Sequence, residues 1–121
     1  MAKGRILLID DEPGVREFLK DYFEDREYDV DIAEDGLAGV EAFKKATYDL
    51  VVSDMLMPKM IGLEVLRNIK AINPDQKVIM MSGVKEDSMM AKAKDLGCKF
   101  YINKPVRMAE VEERIQECFQ Q

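Results

Sequence analysis

Four short polar clusters in this 121-residue chain carry residue types suited to phosphoryl and metal chemistry. They are Asp10-Asp11-Glu12, Ser53-Asp54, Ser82-Gly83 and Asn103-Lys104-Pro105, and each stands at the end of a short apolar run. If Asp10, Asp11 and Asp54 converge to about 5 Å, each pair repels by about 3 kcal/mol at an effective dielectric near 20. Three such pairs approach the stability of a whole domain, so the cluster calls for a cation. All-oxygen donors point to a hard ion, Mg²⁺ or Mn²⁺. A metal on carboxylates also attracts phosphoryl oxygens. Lys104 adds a point charge for another of those oxygens, and Ser82 a short donor for a third. Asp54 is then placed as a nucleophile that forms an acyl phosphate. Positioning and charge stabilisation are what phosphoryl transfer asks of a protein. The chain has no histidine, so it lacks the commonest general base and zinc ligand and is not itself a phosphohistidine donor.

These clusters need elements that bring them to one place. Arg5–Ile9, Leu50–Val52 and Val78–Met81 read as strands covered on both faces, because their apolar runs are continuous. Val30–Ala33 is a weaker strand, and Phe100–Ile102 a fifth. Helical spacing follows each: Val15 to Phe23 after Pro13, Leu37 to Ala46, Val65 to Ile72, Met89 to Leu96 and Met108 to Phe119. Asn73-Pro74 stops the third helix and Gly97 the fourth. Regular alternation of this kind predicts an α/β fold with a parallel sheet between helices. Ligands bind such sheets at the carboxyl ends of the strands, where the four clusters sit.

Composition narrows the class. Apolar residues make up 47%, enough for a core without staples, and the net charge is −6. No basic face is evident, which argues against direct contact with nucleic acid. Neither an 18-residue apolar run nor a basic-then-apolar leader is present, so no membrane span or signal peptide is expected. Cys98 and Cys118 are isolated and read as small buried thiols in a reducing, cytoplasmic compartment.

Asp10-Asp11-Glu12, the segment from Asp54 to Pro58, Ser82-Gly83 and Lys104-Pro105, in that order and spacing, resemble the receiver domain of two-component response regulators of the single-domain type. The resemblance covers essentially the whole chain. It implies a flavodoxin-like, doubly wound (βα)5 three-layer sandwich whose five-stranded parallel sheet has the order 2-1-3-4-5. It implies one receiver domain over residues 1–121, with no output domain. Asp54 would be the phosphoacceptor, charged by a sensor histidine kinase or a histidine phosphotransfer protein. Mg²⁺ would be held by Asp10, Asp11, Asp54 and the backbone carbonyl of Leu56, with Asp10 acting directly or through water. Lys104 would contact the phosphoryl group, and its bond to Pro105 would be cis. Ser82 would swing toward the phosphate and Tyr101 would follow inward. That shift would remodel the face of the fourth helix, fifth strand and fifth helix for a downstream effector. The chain would then be a signalling switch rather than a metabolic enzyme.

Three departures from the receiver pattern carry expectations. Ile61 replaces the Asp that precedes the glycine opening the third helix, which removes a cap worth about 1 kcal/mol. Arg107 stands near the start of the last helix, where a hydroxyl or acidic cap is usual. Leu56 and Val84 are apolar where side chains flank the path of an attacking water, so self-dephosphorylation should be slow. Other readings are weaker. A phosphatase with an aspartyl-phosphate intermediate wants an acid where Leu56 stands. A flavin module wants Ser, Thr and Gly after the first strand, and a phosphate would be repelled by the carboxylates there. A calcium loop around Asp35-Gly36 fails at Ala33 and Ala42. A receiver segment of a larger DNA-binding regulator or hybrid kinase remains compatible with every motif. Met89, Met90 and Met108 fall near the expected switching face and suit an adaptable surface.

Overall fold

A computed structural model of the chain describes residues 2–83 and 87–120. The elements run β1 (Arg5–Ile9), α1 (Pro13–Asp25), β2 (Asp29–Ala33), α2 (Gly36–Lys45), β3 (Leu50–Asp54), α3 (Gly62–Ile72), β4 (Val78–Ser82), α4 (Asp87–Asp95), β5 (Phe100–Asn103) and α5 (Met108–Phe119). All strand pairs are parallel and the order is β2-β1-β3-β4-β5. This is the flavodoxin-like arrangement that the resemblance implies. No helix among the described residues is long and apolar enough to cross a membrane.

Period-two alternation divides the sheet between two cores. Leu7, Ile9, Val51, Val78 and Met80 face α2, α3 and α4, where they meet Val40, Phe43, Leu66, Ile69 and Ala93. Ile6, Leu8, Leu50, Val52, Ile79, Met81 and Ile102 face α1 and α5, against Leu19, Phe23 and Val111. Burial of each large side chain contributes about 1.5–3 kcal/mol. The edge strand β2 shows only one fully buried position, Ala33, which explains its weak sequence signal.

The same alternation sorts the polar residues at the carboxyl edge. Asp54 continues the series of Leu50 and Val52 on the α1/α5 face. Ser82 continues the series of Val78 and Met80 on the α3/α4 face. Tyr101, the register partner of Met80, packs on that same face.

Helix ends follow the residues available. Asp35 caps α2 by accepting from the Ala38 N–H at 2.8 Å. Ile61 and Arg107 occupy the capping positions of α3 and α5 and make no side-chain cap bond, as their types dictate. Gly97, at φ +97, closes α4 with bonds from its own N–H to the Lys94 carbonyl and from the Cys98 N–H to that of Ala93.

Candidate functional site

The carboxyl ends of β1, β3 and β5 deliver Asp10, Asp54 and Lys104 to one point. Lys104 Nζ lies 3.1 Å from Asp10 Oδ2, 2.7 Å from Glu12 Oε1 and 3.0 Å from Asp54 Oδ2. Both aspartates are buried, Asp10 to 1% exposure and Asp54 to 4%. Asp54 Oδ1 accepts from the Met55 N–H at 2.9 Å, and the Ser53 hydroxyl donates to the Asp54 carbonyl at 3.1 Å. Asp10 Oδ1 accepts from the Glu12 N–H at 2.8 Å, and the Asp10 carbonyl accepts from the Arg16 guanidinium at 2.7 Å. The Lys104 N–H donates to the Ser82 carbonyl at 2.8 Å, and the Lys104–Pro105 bond is cis. Glu110 accepts from the backbone and side-chain amides of Asn103 at 3.0 and 2.9 Å, which ties the end of β5 to the first turn of α5.

Backbone packing behind Asp54 is tight. The Gly62 N–H donates to the Met55 carbonyl at 2.7 Å. A methyl group on Gly62 would stand 2.4 Å from the Asp54 carbonyl oxygen. Only glycine permits that approach. Nearby, Lys59 adopts φ +70 and places its ammonium 3.3 Å from Asp35, which links the β3–α3 loop to the cap of α2.

Charge and burial compete at the centre. Burial, then repulsion from Asp10, pushes the Asp54 carboxyl up to about 6 despite the Lys104 ammonium. Burial also raises Asp10. Burial disfavours the charge on Lys104, but hydrogen bonds to Glu12 and Asp54, with Asp10 close by, outweigh it and hold the ammonium above its ordinary range.

One oxygen is poorly satisfied. Asp10 Oδ2 is buried and has the Lys104 ammonium 3.1 Å away, but that contact is an ion pair rather than a well-directed hydrogen bond. Ligand oxygens of Asp10, Glu12 and Asp54 lie within 4.8 Å of one another. Two buried carboxylates raised in pKa, a third at the rim and a single ammonium shared among them fit a hard dication. This group could hold a metal.

The expected residues divide into two sets. Asp10, Asp54 and Lys104 meet. Asp11 is exposed and stands outside the carboxylate group, whereas Glu12 joins it. Glu12 was visible only as the third acid of its run; its extra methylene and its position at the mouth of α1 let it reach Lys104. Leu56, two residues past Asp54, is half exposed, and Val84 lies outside the described residues. The Ser82 hydroxyl is buried and donates to Met90 Sδ at 2.9 Å. The Tyr101 hydroxyl donates to the Cys98 carbonyl at 2.9 Å, and burial, then Cys98, raises its pKa. Met89 and Met90 are half-buried against the core, while Met108 is exposed.

Comparison with known proteins agrees with this geometry. The family model described as response regulator receiver domain matches residues 6–116. The chain is 32% identical over 117 residues to sporulation initiation phosphotransferase F of Bacillus subtilis, covering 97% of this chain and 94% of that protein. It is 36% identical over 114 residues to chemotaxis protein CheY of the same organism, covering 93% and 95%. A crystal structure of a response regulator receiver domain protein from Clostridium thermocellum superposes with a TM-score of 0.89 at 30% identity, over 99% of this chain and 95% of that one. Other relatives are transcriptional regulatory proteins of which the chain spans about half the length. With an acidic pocket around a buried aspartate, a lysine bridging it and a family model over nearly its full length, the chain belongs to the response regulator receiver domain family.

Proposed function

We propose that the chain is the phosphoacceptor switch of a two-component relay, with Asp54 as the acceptor. The observation that carries this is the placement of Asp54: buried, 3.0 Å from the Lys104 ammonium and grouped with Asp10 and Glu12. In the transfer, an Asp54 carboxylate oxygen bonds to phosphorus as the phosphorus–nitrogen bond of a partner's phosphohistidine breaks. The imidazole leaves and takes up a proton from solvent. The partner is a cytoplasmic sensor histidine kinase or a histidine phosphotransfer protein.

Lys104 holds three carboxylates together before the reaction and turns to a phosphoryl oxygen after it. Mg²⁺ is the fitting dication: Asp10 and Asp54, with Asp11 or Glu12 and the Leu56 carbonyl, would hold it, and it would supply positive charge to the phosphoryl oxygens. Ser82 donates to a further oxygen after leaving Met90, and Tyr101 moves inward with it. The face of α4, β5 and α5 then changes for a protein effector. Acyl-phosphate hydrolysis is slow, because the exposed Leu56 side chain cannot orient a water. A second setting has support: relatives twice as long fit a receiver segment within a larger regulator.

The test is intact mass after incubation with acetyl phosphate and Mg²⁺. Wild type should gain one phosphoryl group, and Asp54→Asn none. Gain that persists in Asp54→Asn contradicts the assignment.

A further inference from the structure

Ser82 ends β4 with its side chain on the α3/α4 face of the sheet. Ser82 is 1% exposed, and its hydroxyl has the Met90 thioether as its acceptor, at 2.9 Å. Met90 lies in α4, and its backbone carbonyl faces the Tyr101 hydroxyl at 3.5 Å. One residue of α4 therefore touches both side chains expected to move. Asp54 continues the Leu50 and Val52 series on the other face, and Asp10, Asp54 and Lys104 contact one another without Met90.

The chemistry of that contact matters. A thioether sulfur is a weak acceptor, and a neighbour of similar bulk without one would leave the buried hydroxyl unsatisfied. A carbonyl acceptor would hold it more firmly. The sulfur satisfies Ser82 in the resting state at a strength that a phosphoryl oxygen easily exceeds. We propose that Met90 is a positioning residue that holds the Ser82 hydroxyl back from the phosphorylation site and sets the cost of its release. No covalent bond changes in this step: an O–H···S contact is exchanged for an O–H···O contact to the phosphoryl group. The inference rests on reading Asp54 as the phosphoacceptor and Ser82 as a donor to its phosphoryl group.

The experiment is a double-mutant cycle on the rate of phosphorylation by acetyl phosphate, with the Mg²⁺ midpoint measured in parallel. Met90→Leu conserves volume and removes the acceptor. It should phosphorylate about three- to tenfold faster than wild type, the factor expected from one hydrogen bond. Met90→Gln restores an acceptor and should return the rate to the wild-type value or below it. The Mg²⁺ midpoint should stay unchanged in both. In a Ser82→Ala background, Met90→Leu should make no difference, which separates positioning of the hydroxyl from general loosening of α4. Wild-type uptake at Asp54 with no gain in Met90→Leu, or with an equal gain in the Ser82→Ala background, overturns the role of Met90 alone. Absence of uptake at Asp54 in wild type overturns the functional reading and this proposal with it.

Discussion

The Lys104 ammonium lies 3.0 Å from Oδ2 of Asp54, although β4 separates the strands that carry them. The side chain reaches over the end of β4, and its own N–H is fixed to the Ser82 carbonyl below. The same ammonium touches Asp10 and Glu12, so one cation offsets part of the negative charge of three carboxylates.

Removing that cation should therefore have opposite effects on metal and phosphoryl binding. Lys104→Met deepens the negative potential and should tighten Mg²⁺ binding about three- to tenfold, with solvent screening limiting the gain. Phosphorylation should become slower, because a phosphoryl oxygen loses its ammonium. Calorimetric titration with Mg²⁺ and acetyl-phosphate kinetics check the two effects separately.

Asp54 should make metal-free stability fall with rising pH. Its carboxyl is raised from 3.8 to about 6 by burial and by Asp10. The folded state thus binds this proton more tightly than the unfolded chain does. The stability it confers is complete below about pH 4 and is lost as pH rises through about 6. In a chelator at pH 8, Asp54→Asn should exceed wild type by about 1–3 kcal/mol. The gap should close toward pH 4, and Mg²⁺ should narrow it by stabilising wild type. Urea melts across this range provide the measurement.

Gly62 is the support behind Asp54. A methyl group there meets the Asp54 carbonyl at 2.4 Å and the Met55 Cα at 2.8 Å, both backbone atoms with little room to move. Gly62→Ala should cost about 2 kcal/mol or more through overpacking. It should also slow phosphorylation beyond any loss of folded protein. Melting and single-turnover uptake, each normalised to the folded fraction, test this.

Leu56 should set the lifetime of an acyl phosphate on Asp54. It stands two residues past Asp54, is half exposed, and its apolar side chain gives a water no hydrogen-bond partner. Wild type should stay phosphorylated for many minutes or longer in Mg²⁺. Leu56→Asn should shorten that lifetime about tenfold, the scale of one positioned polar group. Loss of phosphate followed by mass after donor removal gives both numbers.

The sequence carried most of this arrangement because buried parallel strands advertise themselves. β1, β3 and β4 are built on continuous apolar runs, Ile6–Ile9, Leu50–Val52 and Val78–Met81, and the polar residues that follow those runs had to share one edge. Asp54, Ser82 and Asn103 proved to be the last residues of their strands rather than the first beyond them, and this fixes which face each side chain takes. β2 begins at Asp29, one residue earlier than its apolar pattern indicates, since an edge strand tolerates polar positions. Asp35-Gly36, whose type also suits a hairpin, serves as the cap and first residue of α2. Side-chain reach was not legible. Nothing in an Asp-Asp-Glu run says that Glu12 rather than Asp11 meets Lys104. No pattern announces that Met90 receives the Ser82 hydroxyl, or that Lys59 turns to φ +70 and pairs with Asp35. Those contacts depend on rotamers and on loop paths set by packing.

Borohydride reduction of the acetyl-phosphate-treated protein, followed by peptide mass mapping, addresses the acceptor itself. An acyl phosphate is reduced to an alcohol, so a modified aspartate becomes homoserine. Conversion of Asp54 alone, and only when Mg²⁺ was present, is the predicted result. Homoserine at Asp10 or Asp11, or a phosphoryl group that survives reduction on a serine, would contradict the account.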